Sequence, residues 1–300
     1  MLASLCSWLR RPARDRGFII VAVLWILAAL ATLASIMSIY VINAASGFAV
    51  HDERLQSEAL TRAAIELSAY QIARDRQAPP ASGSFVFRMS NASIATSFVS
   101  EAARIDINAA PKALLRGLFF GLGAAPAAAD NYADRIIGWR TQPAPDGSSS
   151  DEGALYRAAG LTYGPRGAPY QHIGELALVL GIPDFLLERA LPYLTVYSGQ
   201  SQINILAAPP QVVAAVPGMT PELLNYVLGQ RALGREGVEQ LVAQLGQNPL
   251  ASLAASKSYR VTSRISFDSG RRITSEVVIF MLEGGVEPYR VLTWRDDIDG

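Results

Sequence analysis

Residues 18–42, FIIVAVLWILAALATLASIMSIYVI, decide the overall plan of the chain, because no charged side chain interrupts them. As a helix, these 25 residues would extend roughly 37 Å, which is enough to cross a hydrocarbon layer of about 30 Å. A secretory signal peptide has a shorter apolar region of about 7–15 residues, so the length favours a retained transmembrane helix. Small residues at 29–31 and 44–46 leave a signal-peptide cleavage site as the alternative.

The segment before this run is basic, with four arginines between residues 10 and 16 and a single aspartate. The positive-inside rule therefore predicts that it stays in the cytoplasm and that the rest of the chain lies across the membrane. Without residues 1–17 the chain has 22 basic and 25 acidic side chains, a balance that disfavours nucleic-acid binding as the main function. Cys6 is the single cysteine of the sequence, so the chain after it has neither a disulfide nor thiol chemistry.

The helix is predicted to continue beyond the apolar run. Residues 51–76 have helical periodicity, with charged side chains on the other faces of an apolar stripe. The stripe consists of Leu55, Ala59, Ala63, Leu67 and Tyr70. The two prolines at 79 and 80 then end the helix.

The junction Arg16-Gly17-Phe18 resembles the class III signal of type IV pilins and pseudopilins. This resemblance implies that a membrane peptidase cleaves between Gly17 and Phe18 and that Phe18 becomes the N-methylated terminus. Most family members have glutamate at the fifth mature position, where this sequence has Ala22. Absence of that glutamate is typical of the K-type minor pseudopilin of type II secretion, which the family places at the filament tip.

The central region contains an internal repeat. Asp106–Pro111 reads DINAAP, Asn204–Pro209 reads NILAAP, and the two start 98 residues apart. Each unit has an Asx residue and a proline ahead of a helical run, as helix starts do. Short helices separated by glycine and proline turns predict a compact helical region over residues 106–253.

Strand patterns lie on both sides of this region. Residues 84–89 and 94–105 are β-type, and residues 258–267 lead through an Asp-Ser-Gly turn into strands at 271–282 and 289–294. We therefore predict an α+β fold, similar to the K pseudopilin family, with a leader over residues 1–17. It has a long N-terminal transmembrane and amphipathic helix (18–78), a small antiparallel pilin-like sheet (79–105 and 254–300) and a large all-α insertion (106–253) with duplicated helix-hairpin-helix-like units.

Catalytic motifs are absent from the sequence. The two histidines, His51 and His172, are isolated, and no G-x-S-x-G, H-E-x-x-H or P-loop motif occurs, so we predict no enzyme activity. The second repeat resembles the helix-hairpin-helix of membrane-tethered DNA-uptake receptors, which is the alternative function. Within residues 201–245, however, Arg231 and Arg235 are outnumbered by three glutamates, which disfavours contact with phosphates.

One loop is a candidate calcium site. Asp146, Asp151 and Glu152 lie in a segment rich in serine and glycine, and their oxygens suit calcium. A solvated loop without metal is the alternative. Relatives in the K family commonly have acidic residues after the position of Trp139, where this chain has Arg140, so part of such a site is missing.

The resemblance implies a non-enzymatic minor pseudopilin that initiates or caps a type II secretion filament. It implies a single-pass protein of the bacterial inner membrane, with a cytoplasmic N-terminus and a periplasmic C-terminal domain. The expected partners are I-type and J-type minor pseudopilins, the prepilin peptidase and the inner-membrane platform of the secretion machine. Nucleic acid is not an expected partner.

Overall fold

A computed structural model describes residues 15–75, 78–142, 152–233, 237–241, 248–283 and 287–296, with side chains left out at 15–17 and 42–54. The chain divides into two compact units, residues 1–59 and 60–300. The first helix, α1 (Asp15–Ala73), confirms that the helix continues past the apolar run, and it ends ahead of the two prolines.

Nine strands follow in the described part of the chain. They are β1 (Ser82–Met89), β2 (Ala92–Ser100), β3 (Ile105–Asp106), β4 (Leu194–Thr195), β5 (Ile203–Asn204), β6 (Ala251–Ser252), β7 (Ser258–Phe267), β8 (Arg272–Met281) and β9 (Tyr289–Asp296). Five of them form one antiparallel sheet in the order β1-β2-β7-β8-β9, as the strand patterns predict. Gly270, with φ of 89°, supplies the left-handed residue in the β7–β8 turn.

The C-terminal part of α1 packs on one face of this sheet. Because strand side chains alternate between faces, β2, β7 and β8 direct one set of apolar residues towards the helix. The helix residues of this core are Leu60, Ala64, Ile65, Ala69 and Ile72, each at most 3% exposed.

The predicted apolar stripe of α1 is not the face that packs. Leu55, Leu67 and Tyr70 are 52%, 40% and 69% exposed, and the buried face lies beside them on the helix. The buried face includes Thr61 and Ser68, whose hydroxyls lower its apolar character in the sequence. This part of the helix therefore has two apolar faces, and the stripe read from the sequence is the exposed one.

The region between β2 and β7 is predominantly helical. Its α-helices include α2 (Lys112–Gly121), α3 (Pro126–Arg140), α4 (Glu152–Ala158), α5 (Asp184–Ala190), α6 (Pro210–Ala214) and α7 (Pro221–Ala232). Three 3-10 helices accompany them, at Glu101–Ala103, Ile173–Leu178 and Leu191–Tyr193. The region is not purely α-helical, because β3 pairs in parallel with β4 and β5 pairs in parallel with β6.

The internal repeat has the same hydrogen bonds in both copies. The Asp106 carboxylate accepts from the Asn108 amide (2.8 Å), and the Asn204 side-chain oxygen accepts from the Leu206 amide (2.8 Å). Each short strand pairs with a partner at the far end of its own unit. Each unit is therefore an Asx-initiated turn that leads from a strand into a helix.

Candidate functional site

The predicted processing site lies near the start of α1. Gly17, Phe18 and Ala22 are all helical, and the Phe18 side chain is 77% exposed. Ala22 is an uncharged residue in an apolar helical surface, as its place in the sequence implies. Cleavage between Gly17 and Phe18 and methylation of Phe18 stay predictions.

The apolar surface of α1 is uncovered. Among the described residues, one segment, Phe18–Val41, is long and apolar enough to cross a membrane. Its large hydrophobic side chains are 48% to 77% exposed. A soluble protein rarely exposes a contiguous apolar surface of this size, because its contact with water is unfavourable. Its length and composition are those of a helix that crosses a membrane.

A second exposed apolar surface lies on the part of α1 that packs on the sheet. Leu67 and Tyr70 point away from the sheet core, and Ala63 lies one turn before Leu67 on the same helix. Side chains spaced three and four residues apart share a helix face. This face therefore offers a small apolar surface to another helix.

A buried ionic cluster joins the sheet to the helical region. Glu101 follows β2 and is fully buried; its carboxylate accepts hydrogen bonds from Arg260 Nε at 2.7 Å and Arg104 Nη1 at 3.0 Å. The Thr195 hydroxyl, on β4, also donates to this carboxylate. Arg260 in turn donates to Glu276 on β8. Since β4 belongs to the helical region and β7 and β8 to the sheet, the cluster fixes one against the other.

Burial alone would raise the pKa of Glu101, but the hydrogen bond and charge of Arg260, with the charge of Arg104, hold that pKa below its ordinary value. Glu101 is therefore a carboxylate inside the protein. Removing one partner of such a buried pair costs about 3–5 kcal/mol, because the other charge is left uncompensated.

Of the three candidate calcium ligands, the structure describes Glu152. Asp146 and Asp151 lie outside the described residues. Glu152 is buried at the start of α4, and both its oxygens accept from Arg135 Nη1 at 2.8 Å. No group of three or more metal-ligating side chains occurs among the described residues. The calcium site stays a prediction.

Arg140, at the end of α3, makes a structural contact. Its guanidinium donates to the carbonyl oxygens of Ile107 and Ala110, the latter at 2.8 Å. Arg231 donates in the same way to the Ala208 carbonyl (2.7 Å) in the second repeat. These arginines hold the start of each repeat unit and direct their charge inward, so Arg231 is not free to contact a nucleic-acid phosphate.

The isolated histidine of the helical region also has a structural role. The Nδ1 atom of His172 accepts from the Gly174 amide at 3.0 Å and caps the 3-10 helix that follows. The Glu175 side chain accepts from the His172 amide in return. This reciprocal cap explains why a histidine stands here without a catalytic partner.

Sequence reasoning missed the Glu101 cluster. Glu101 and Arg260 are 159 residues apart, and neither belongs to a motif. The sequence contained no clear signal for this ion pair. Arg260 alternates with apolar residues along β7, and a charged residue at such a position is usually exposed to solvent.

Comparisons with known proteins agree with the fold. Residues 93–199 match the family model of type II secretion system protein K, first domain. The structure resembles a chain in the crystal structure of the GspK-GspI-GspJ complex of the enterotoxigenic Escherichia coli type 2 secretion system, with a TM-score of 0.57 and 18% identity. That similarity covers 82% of this chain and 97% of the other. No curated protein matches the sequence. Residues 93–199 are therefore similar to type II secretion system protein K, and the fold is that of the chain in the solved complex.

Proposed function

We propose that this protein is a non-enzymatic minor pseudopilin that initiates or caps the type II secretion filament at its tip. The observation that supports this most strongly is the uncovered apolar segment Phe18–Val41 in a chain whose residues 93–199 match protein K. Such a segment holds the subunit in a bilayer before assembly and packs against other helices afterwards. The work of the protein is therefore assembly, driven by apolar contact.

The tip position follows from the processing site. A fifth-position carboxylate in a pilin-like subunit meets the N-terminal amine of a neighbour, and that buried charge needs a partner. Cleavage between Gly17 and Phe18 places Ala22 at this position. The subunit then has no buried carboxylate that needs the N-terminal amine of a subunit ahead of it. The large helical region between β2 and β7 also adds bulk that a filament tip can accept.

The proposed partners are minor pseudopilins of the I and J types. The structural relative is a complex that contains GspI and GspJ. In this chain the exposed face with Leu67 and Tyr70 is where a partner helix would pack. The prepilin peptidase and the inner-membrane platform act on the same N-terminal helix. The resulting protein is single-pass in the inner membrane, with its C-terminal unit in the periplasm.

Immunogold labelling of an epitope-tagged chain on filaments assembled from the major pseudopilin tests the tip position. Gold at one filament end is the expected result, and secretion by a deletion strain should be restored by the tagged chain. Gold distributed along filament shafts would contradict the tip role. A matched filament preparation with an untagged chain controls for non-specific labelling.

A further inference from the structure

The sheet face opposite α1, here called the outer face, is rich in arginine. Strand alternation directs six arginines of the described strands to it, against one acidic side chain, Glu276. The arginines are Arg88, Arg260, Arg264, Arg272, Arg290 and Arg295. Residues 60–300 as a whole have 21 basic and 22 acidic side chains, so this positive charge is a local concentration.

Three of these arginines lack a described hydrogen-bond or ion-pair partner: Arg290 on β9 and a neighbouring pair on β7 and β8. Arg264 on β7 and Arg272 on β8 are exposed, and their guanidinium groups make no hydrogen bond or ion pair to another described residue. Arg264 pairs across strands with Thr274, and Arg272 pairs with Ser266, so the two arginines are diagonal neighbours. Diagonal neighbours on one sheet face lie about 7–8 Å apart, so both can reach carboxylates of one bound segment.

The other residues of the outer face suit a polar ligand. Hydroxyl side chains lie between the arginines, and Val86 is the large apolar side chain that is most exposed there, at 69%. These hydroxyls include Ser84, Ser93, Ser97, Thr262, Ser266 and Thr274. Surfaces that enter a lipid interface add several aromatic or leucine side chains to their basic residues. The outer face lacks that pattern in the described strands, which favours a protein ligand.

A cavity of about 280 Å³ lies at the end of this face, between the sheet and the helical region. Arg260, Glu276 and Arg295 line it from the sheet, and Arg104 and His172 line it from the helical region. Three arginines line the cavity, whereas the ionic cluster has two glutamates, Glu276 and buried Glu101, so one positive charge is left over. A single additional carboxylate would neutralise that charge.

The donors for that carboxylate are present. Arg104 uses Nε for the Pro192 carbonyl (2.9 Å) and Nη1 for Glu101, which leaves Nη2 without a described acceptor. Arg295 uses Nη2 for Glu276 at 2.7 Å and lines the cavity, and no described residue accepts a hydrogen bond from its Nε or Nη1. Planar guanidinium groups bind carboxylates with two parallel hydrogen bonds.

We propose that the outer face, together with this cavity, is a docking surface for a carboxylate-rich segment of another protein. Arg264 and Arg272 attract and align the segment, and one of its carboxylates enters the cavity between Arg104 and Arg295. The surface lies on the opposite side of the sheet from α1, so it is separate from helix-mediated assembly. The proposal does not depend on the tip position.

The test uses the full chain in a non-ionic detergent and a fluorescent deca-glutamate peptide as the probe, with deca-glutamine as the uncharged reference. Binding is followed by fluorescence anisotropy. In R264E/R272E the affinity for deca-glutamate should fall about tenfold, because two attractive contacts become repulsive. The matched control R74E/R189E changes the net charge equally at two exposed arginines elsewhere and should bind like the unaltered chain. R295Q should weaken binding by a smaller factor.

Three results would overturn the proposal. The unaltered chain does not bind deca-glutamate, or both double variants lose affinity equally, which means that net charge alone attracts the peptide. In the third, the unaltered chain binds phosphatidylglycerol vesicles more tightly than phosphatidylcholine vesicles, and R264E/R272E loses this preference but keeps its affinity for the peptide; the apolar part of α1 would enter both kinds of vesicle, so only the difference reports on the outer face. That outcome would assign the outer face to an anionic lipid surface.

Discussion

The two parts of α1 present apolar side chains to different surroundings. In Phe18–Val41 every face of the helix is apolar and exposed, whereas after Leu60 one face is buried against the sheet. The second part packs against the sheet of its own chain, whereas the side chains of the first are exposed among the described residues. The comparison shows that the first part needs lipid or other helices, and that the second sets the structure of the C-terminal unit. The following changes test this division.

The largest effect is expected in the exposed part. Changing Leu24 and Leu27 to arginine costs about 2.5–3.5 kcal/mol for each charge near the centre of a membrane span. We expect the double variant to be lost from membranes after carbonate extraction. Tyr70→Arg, at an exposed site in the second part, should stay in the membrane fraction. Equal membrane retention of the double variant and the unaltered chain would mean that this segment is not the anchor.

The ionic cluster on the other side of the sheet gives the next effect. Glu101→Gln should lower the free energy of unfolding by about 3–5 kcal/mol, because Arg260 and Arg104 lose their buried counter-charge. The pKa of Glu101 is lowered in the folded protein, so its contribution is complete above the unfolded value of 4.5 and is lost as the pH falls through the folded pKa.

Denaturant titrations from pH 7 down to the acid range therefore show whether Glu101 stabilises the protein through its charge. The unaltered chain should lose stability progressively below about pH 4.5, and the Gln variant should show a shallower decline. Parallel pH profiles for the two proteins would show that Glu101 does not contribute through its charge.

A smaller effect distinguishes the two faces of the second part. Ile65 is 1% exposed, and Ile65→Ala should destabilise the protein by about 2–4 kcal/mol through lost contacts and a cavity. Leu67→Ala, at a site that is 40% exposed, is the matched control and should change stability by about 0.5 kcal/mol or less. Thermal unfolding in detergent measures both. A larger effect at Leu67 would mean that the stripe with Leu67, and not the face with Ile65, makes the stabilising contacts.

The smallest effect concerns the hydroxyls between helix and sheet. The Thr61 hydroxyl donates to the Ser275 hydroxyl at 3.3 Å, and the nearby Thr96 and Ser263 hydroxyls are buried with no hydrogen-bond partner among the described residues. Thr61→Val removes one long hydrogen bond and keeps the volume, so stability should change by about 1 kcal/mol or less. A loss as large as that of Ile65→Ala would mean that this polar row holds the helix in place.

Local patterns predicted much of this fold, and distant contacts did not. The Asp-Ser-Gly turn, the flanking strands and the apolar run each depend on neighbouring residues, so the sequence was sufficient for them. Which face of α1 packs depends on the position of the sheet, which local sequence does not contain. The buried face also includes the hydroxyl residues Thr61 and Ser68 beside Ile65, so it does not stand out as apolar in the sequence. The site residues divide in the same way. Gly17, Phe18 and Ala22 came from a contiguous motif, whereas Glu101 and Arg260 meet only in the folded chain.

The mass of the N-terminal peptide, from membranes of cells with and without prepilin peptidase, tests the central claim most directly. The account predicts a peptidase-dependent protein that starts at methylated Phe18 and retains the whole apolar segment. An intact Met1 in both strains, or a start near Ala31 or Ala44, would contradict it. The apolar part of α1 would then be an ordinary anchor or a discarded signal, and no longer the assembly element of a pseudopilin.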